Sequence, residues 1–115
     1  MIKRSGNSEI LHDVVEHNGV LNLAGVVAED LSLGMEGQAR QVFAEIDRLL
    51  AAHGSDRDHL LSALIFITDM KLKPEMNKAW KAWLKRDHLP TRATIGINDL
   101  GPGVLIEVVV TAAVK

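Results

Sequence analysis

The spacing of apolar positions changes several times along the chain, and each change predicts an element. Residues 2 to 4 fit a short edge strand. His12 to Glu16 and Val20 to Val27 are two β-rich runs that meet at Asn18-Gly19. Asn-Gly between apolar runs predicts a hairpin, because both residues tolerate positive φ. Met35, Ala39, Val42, Phe43, Ile46, Leu49 and Leu50 then recur at helical spacing, which predicts a helix from 35 to about 52. Gly54 suits the position just past its end, and Ser55-Asp56-Arg57-Asp58 has the form of a cap for a short turn.

The run LLSALIFIT, Leu60 to Thr68, is apolar enough for a central buried strand. Asp69 to Lys73 connects it to a second helix, with Pro74 in its first turn. Met76, Ala79, Trp80, Trp83 and Leu84 form that helix's apolar stripe, and Pro90 blocks its continuation. Arg92 to Ile97 and Val104 to Val114 read as the last two strands, joined by the turn NDLGPG at 98 to 103. The order strand pair, helix, strand, helix, strand pair has a loose internal echo. It leaves α+β and α/β as the fold classes, in one domain spanning 1–115. Two helices with one apolar stripe each would cover one sheet face. Val108, Val109 and Val110 place apolar groups on both faces, so the bare face implies an oligomer.

One residue breaks the pattern. In LPTRATIGI, residues 89 to 97, Thr91, Ala93, Ile95 and Ile97 share one strand face, and Arg92, Thr94 and Gly96 the other. An antiparallel hairpin through 98–103 would set Thr94 opposite Glu107, with Arg92 its diagonal neighbour at about 7–8 Å, and a slip of two residues would set Arg92 directly opposite Glu107 on the same face. Two readings follow. A cross-strand ion pair would contribute about 0–1 kcal/mol. An anion clamp would use the planar, always-charged guanidinium to grip a carboxylate, with the Thr94 hydroxyl beside it and Glu107 holding water or moving a proton.

Composition narrows the chemistry. The 115 residues carry a formal net charge of -2 and no basic run, so no nucleic-acid footprint appears. There is no cysteine, which excludes thiolate chemistry and disulfides. The five histidines are scattered without metal-ligand spacing. No serine sits in a G-x-S-x-G elbow, and Gly34-Met35-Glu36-Gly37 lacks the ending of a phosphate loop. Nothing resembles a signal peptide or a membrane span, so a soluble cytoplasmic protein is expected. Trp80 and Trp83 read as core or interface packing, and Asn77 alone as a solvated helix residue.

The ordered segments GVLNLAGV (19–26), QARQVFAEIDRLLAAHGS (38–55), MNKAWKAW (76–83), PTRATI (90–95) and IEVVVTAAV (106–114) together resemble the Rid (YjgF) family of reactive intermediate deaminases. MNKAWKAW is most similar to its YoaB-like branch. The resemblance covers nearly the whole chain. It implies a chorismate-mutase-like α+β fold: a mixed sheet with two helices on one face, assembled as a homotrimer with clefts between subunits.

It also implies hydrolysis of 2-imino or enamine acids to 2-oxo acids and ammonia, with no cofactor or metal. Arg92 matches the family arginine that holds the substrate carboxylate, and Glu107 the glutamate associated with water near the imine. Asn77 and Gly25 match cleft residues, and Thr94 stands where many members have cysteine or threonine. The chain departs from the family in three places. Ala24-Gly25-Val26 replaces Ser-Gly-Gln, Leu11 or His12 replaces a tyrosine, and the stretch from Asn77 to Arg92 is shorter. A small-carboxylate sensor without turnover is the alternative function. Ribonuclease or translation-inhibitor activity has also been attached to the family; the acidic balance and missing basic patch argue against it here.

Overall fold

The computed structural model describes all 115 residues. Six strands, β1 (Lys3–Asn7), β2 (His12–His17), β3 (Val20–Leu23), β4 (Leu60–Ile67), β5 (Thr91–Gly96) and β6 (Ile106–Ala113), form one sheet in the order β1-β2-β3-β6-β4-β5. Only β4 and β5 run parallel; the other neighbours are antiparallel, so the sheet is mixed. Two helices, α1 (Met35–Ala52) and α2 (Lys73–Trp83), complete the α+β fold. The β2–β3 turn uses Asn18 at φ 52° and Gly19 at φ 76°, the left-handed pair that the Asn-Gly signal demands.

Helix α1 turns Met35, Ala39, Val42, Phe43, Ile46 and Leu50 inward. Helix α2 adds Met76, Ala79, Trp80 and Trp83. They pack on the sheet face made by Ala63, Ile65, Ile67, Ile106, Val108, Val110 and Ala112, all at most 1% exposed. Phe43 and Trp83 stack at 4.5 Å, and Trp80 meets both rings edge-on at 5.9 Å. Such aromatic pairs contribute roughly 0.5–1.5 kcal/mol each beyond their buried area. Asp47 ties the same corner together, accepting from Trp83 Nε1 at 3.0 Å and from Arg57 Nε at 3.1 Å.

The last two strands correct the hairpin expectation. β5 pairs with β4, placing Arg92 beside Ala63 and Thr94 beside Ile65. β6 lies on the far side of β4, between it and β3, with Glu107 beside Phe66. The 98–103 segment therefore crosses over the end of β4. It is held there by Gln38 of α1, fully buried, whose Nε2 donates to Gly103 O at 2.9 Å and whose Oε1 accepts from Leu105 N at 3.0 Å. Buried amide-to-backbone bonds of this kind fix a loop because losing them strands several polar groups.

Smaller differences concern element ends. β3 stops at Leu23, and only an isolated bridge, Val26 to Val108, continues the run expected to reach Val27. β1 runs on to Asn7 and pairs with β2. Asp56 alone caps the turn at Arg57–His59, while the Ser55 hydroxyl donates to Ala113 O at 2.6 Å instead. No helix is long and apolar enough to cross a membrane. The sheet face away from the helices has an apolar centre: Leu64 is 43% and Ile95 39% exposed, with Phe66 and Val109 half-buried beside them.

Candidate active site

Arg92 lies on the helix side of the sheet edge. Its strand partner Ala63 faces the helices, so strand alternation sends the arginine side chain toward α2. There Nη1 donates to Asn77 Oδ1 at 2.7 Å and lies 4.0 Å from Met76 Sδ. The guanidinium carbon stands 5.1 Å from the Trp80 ring centroid, within cation–π range. Arg92 enters no ion pair. Burial lowers its pKa from the ordinary arginine value, and no carboxylate offsets that effect. Two residues along the same face, the Thr94 hydroxyl is buried and finds no hydrogen-bond partner.

A groove of about 610 Å³ opens over Arg92, Asn77 and Trp80, while Thr94 lies behind its lining. Trp80, Leu84, Leu89 and Pro90 give it an apolar wall. Asn77, Lys81, Arg86 and Arg92 give it polar groups, three of them cationic and none acidic. Asn77, Trp80 and Lys81 follow helical spacing, so one stripe of α2 and Leu84 just past its end form a side of the groove. Trp80 is therefore both core and site. Helical spacing alone assigns it to packing, and its position three residues after Asn77 is the signal that places it at the site. No group of three or more His, Cys, Asp or Glu side chains gathers anywhere as a metal site would require.

Glu107 does not join this cluster, and the expected shared face with Arg92 is corrected. Its partner on β4 is Phe66, an odd number of residues from Ala63, so Glu107 emerges on the opposite sheet face. The two residues are also two strand spacings apart, about 10 Å, and offset by about 10 Å along the strands. Gly25 lies with Glu107 instead: a Cβ built on Gly25 would come 1.9 Å from Glu107 Oε2. The candidate residues thus fall into two half-sites, Arg92–Asn77–Thr94 with Trp80, and Glu107–Gly25.

Comparisons with known proteins agree with the resemblance. A family model described as Endoribonuclease L-PSP matches residues 7–114. A RutC family protein of Haemophilus ducreyi is 34% identical over 115 residues, covering 100% of this chain and 98% of that one. The RutC family protein YoaB of Escherichia coli is 37% identical over 102 residues, 89% of each chain. Among solved structures, a YjgF-family protein of Neisseria meningitidis superposes with a TM-score of 0.93 at 34% identity, covering 100% of this chain and 96% of that one. With its two-helix, mixed-sheet architecture and these relatives, the chain belongs to the Rid/YjgF family, on its RutC/YoaB-like side.

Proposed function

We propose that this protein hydrolyses reactive 2-imino acids, or their enamine tautomers, to 2-oxo acids and ammonia. The observation that carries the reading is the state of Arg92. It is a half-buried guanidinium held by a neutral amide and an indole face, with no anion of its own. A partly desolvated cation kept without a counter-charge favours binding of an anionic ligand, and a planar fork suits a carboxylate.

In this reading the substrate carboxylate sits on Arg92, with Thr94 two residues along the same strand face supporting it from behind. Water adds to the C=N carbon, giving a carbinolamine. Collapse of that intermediate expels ammonia and leaves the 2-oxo acid. Glu107 acts through water, accepting a proton from the nucleophile and returning it to the departing nitrogen. The imine carbon is already electrophilic, so positioning and proton transfer suffice for acceleration.

Glu107 of the same chain lies beyond reach of a small ligand on Arg92. We infer that a neighbouring copy supplies the Glu107–Gly25 half-site, in a homotrimer whose subunits bury the apolar sheet face around Leu64 and Ile95. The cleft between subunits is then the active site. An endoribonuclease, the activity in the family description, would need an acid–base pair at a phosphodiester. The groove around Arg92 has no carboxylate or histidine from its own chain, and the single Glu107 that a neighbouring copy would bring is not a pair.

A threonine dehydratase generating 2-iminobutanoate, with semicarbazide competing for it, tests the reading. Wild type should suppress semicarbazone formation and Arg92→Ala should not, with both proteins folded by circular dichroism. Equal suppression by both would remove Arg92 from the reaction. No suppression by wild type, with 2-oxobutanoate still bound, would favour the sensor.

A further inference from the structure

The groove holds more positive charge than one carboxylate needs. Lys81 and Arg86 line it together with Arg92, and neither is in an ion pair. Their neighbours differ: Lys78 is bound to Glu36 at 3.5 Å and Lys85 to Asp58 at 3.7 Å. The turn carrying Arg86 is also pinned, because His88 Nδ1 lies 3.0 Å from Asp58 Oδ1. Three uncompensated cations thus converge on one concave surface in a chain of net charge -2.

Geometry sets the size of what they would hold. Lys81 follows Asn77 by four residues, one helical turn or about 5.4 Å along α2. Asn77 fixes Arg92, so the Lys81 side chain starts one turn from the residue that anchors the first site. The carboxyl carbons of a four- or five-carbon dicarboxylic acid are about 4–5 Å apart at ordinary bond lengths. The apolar wall of Trp80 and Leu84 runs between the two ends and suits a short methylene spine.

We propose that Lys81 and Arg86 form a second anion subsite, so that the preferred ligands are 2-imino and 2-oxo acids bearing a second carboxylate. This rests on the carboxylate clamp of the proposed function and extends it to a substrate class. Arg92 holds the carboxylate next to the reacting carbon, and Lys81 and Arg86 hold the distal one.

Calorimetric titration of the wild-type protein with 2-oxobutanoate and 2-oxoglutarate tests it. 2-Oxoglutarate should bind about tenfold tighter or more, the effect of one added charge-assisted contact. In Lys81→Gln/Arg86→Gln that ratio should fall to about one, and in Lys81→Glu below one. Equal affinities in wild type, or a ratio unchanged in the double variant, would overturn the subsite while Arg92-dependent binding of both acids upheld the clamp. Failure of both acids to bind wild type, or binding indifferent to Arg92→Ala, would overturn the clamp and the subsite with it.

Discussion

Asn77 Oδ1 accepts a hydrogen bond from Arg92 Nη1 at 2.7 Å, so the guanidinium is anchored by an amide and not by a carboxylate. The distinction decides what the arginine can do. An amide orients the fork without consuming its charge. Asn77→Asp should give Arg92 a permanent internal counter-ion and close the clamp to ligands. Steady-state kinetics on 2-iminobutanoate should show KM raised at least about tenfold, with Tm unchanged or higher. An unaltered KM would mean that Arg92's free charge is not what binds substrate.

Gly25 leaves room for Glu107. Its replacement by alanine would bring a Cβ to 1.9 Å from Oε2 and 2.8 Å from Cδ. The clashing group is the far end of a flexible side chain, so it can swing aside. Gly25→Ala should cost about 1 kcal/mol or less in denaturant unfolding. It should nonetheless lower kcat by about tenfold or more, because the carboxylate loses its position. In a Glu107→Ala background the same change should have no further effect on kcat. An additive loss would show that Gly25 acts by some route other than this carboxylate.

Gln38 clasps two loops from the interior. Its Nε2 donates to Leu33 O at 3.0 Å and Gly103 O at 2.9 Å, and Oε1 accepts from Leu105 N at 3.0 Å. Gln38→Leu keeps the volume and strands those backbone groups. Chemical denaturation should show a loss of about 2–4 kcal/mol. A loss under about 0.5 kcal/mol would mean that water replaces the amide.

Acid should weaken the fold through surface carboxylates. The His59 hydrogen bond holds the Asp56 carboxyl below the usual range, Arg40 does the same for Glu36, and Arg48 for Glu45. Each folded-state pKa is depressed relative to the unfolded chain. The stabilisation is therefore whole above the ordinary carboxylate values and is lost as pH falls through the lowered ones. Tm should decline below about pH 4.5, and Asp56→Asn should make that decline shallower. An equal slope in the variant would exclude the Asp56–His59 pair.

Periodicity is enough for both helices, because each buries a single stripe; α1 ends at its Gly54 signal, whereas α2 stops at Trp83, with Leu84 already extended and Pro90 seven residues on. Asn18-Gly19 announced its hairpin for a similarly local reason: the turn needs left-handed backbone. The last two strands were not legible. Adjacency in sequence favours pairing, but Gln38 holds residues 103–105 across the end of β4 and carries β6 beyond it. That change of neighbour alters the parity of the pleat, which is why Arg92 and Glu107 exchange a shared face for opposite ones. Arg92, Asn77 and Thr94 could be singled out by residue type and by resemblance. Lys81 and Arg86 could not, since they join the groove from a helix and a separate turn and form no basic run.

The separation of Arg92 from Glu107 by the thickness of the sheet has a kinetic meaning. No single chain can present both to one small molecule, so a reaction that needs both rises faster than linearly with protein concentration wherever lone chains predominate. For the proposed two-chain site, specific activity should fall on dilution below the range in which the copies associate. The cell's supply of catalyst would then follow a threshold in abundance instead of a proportion.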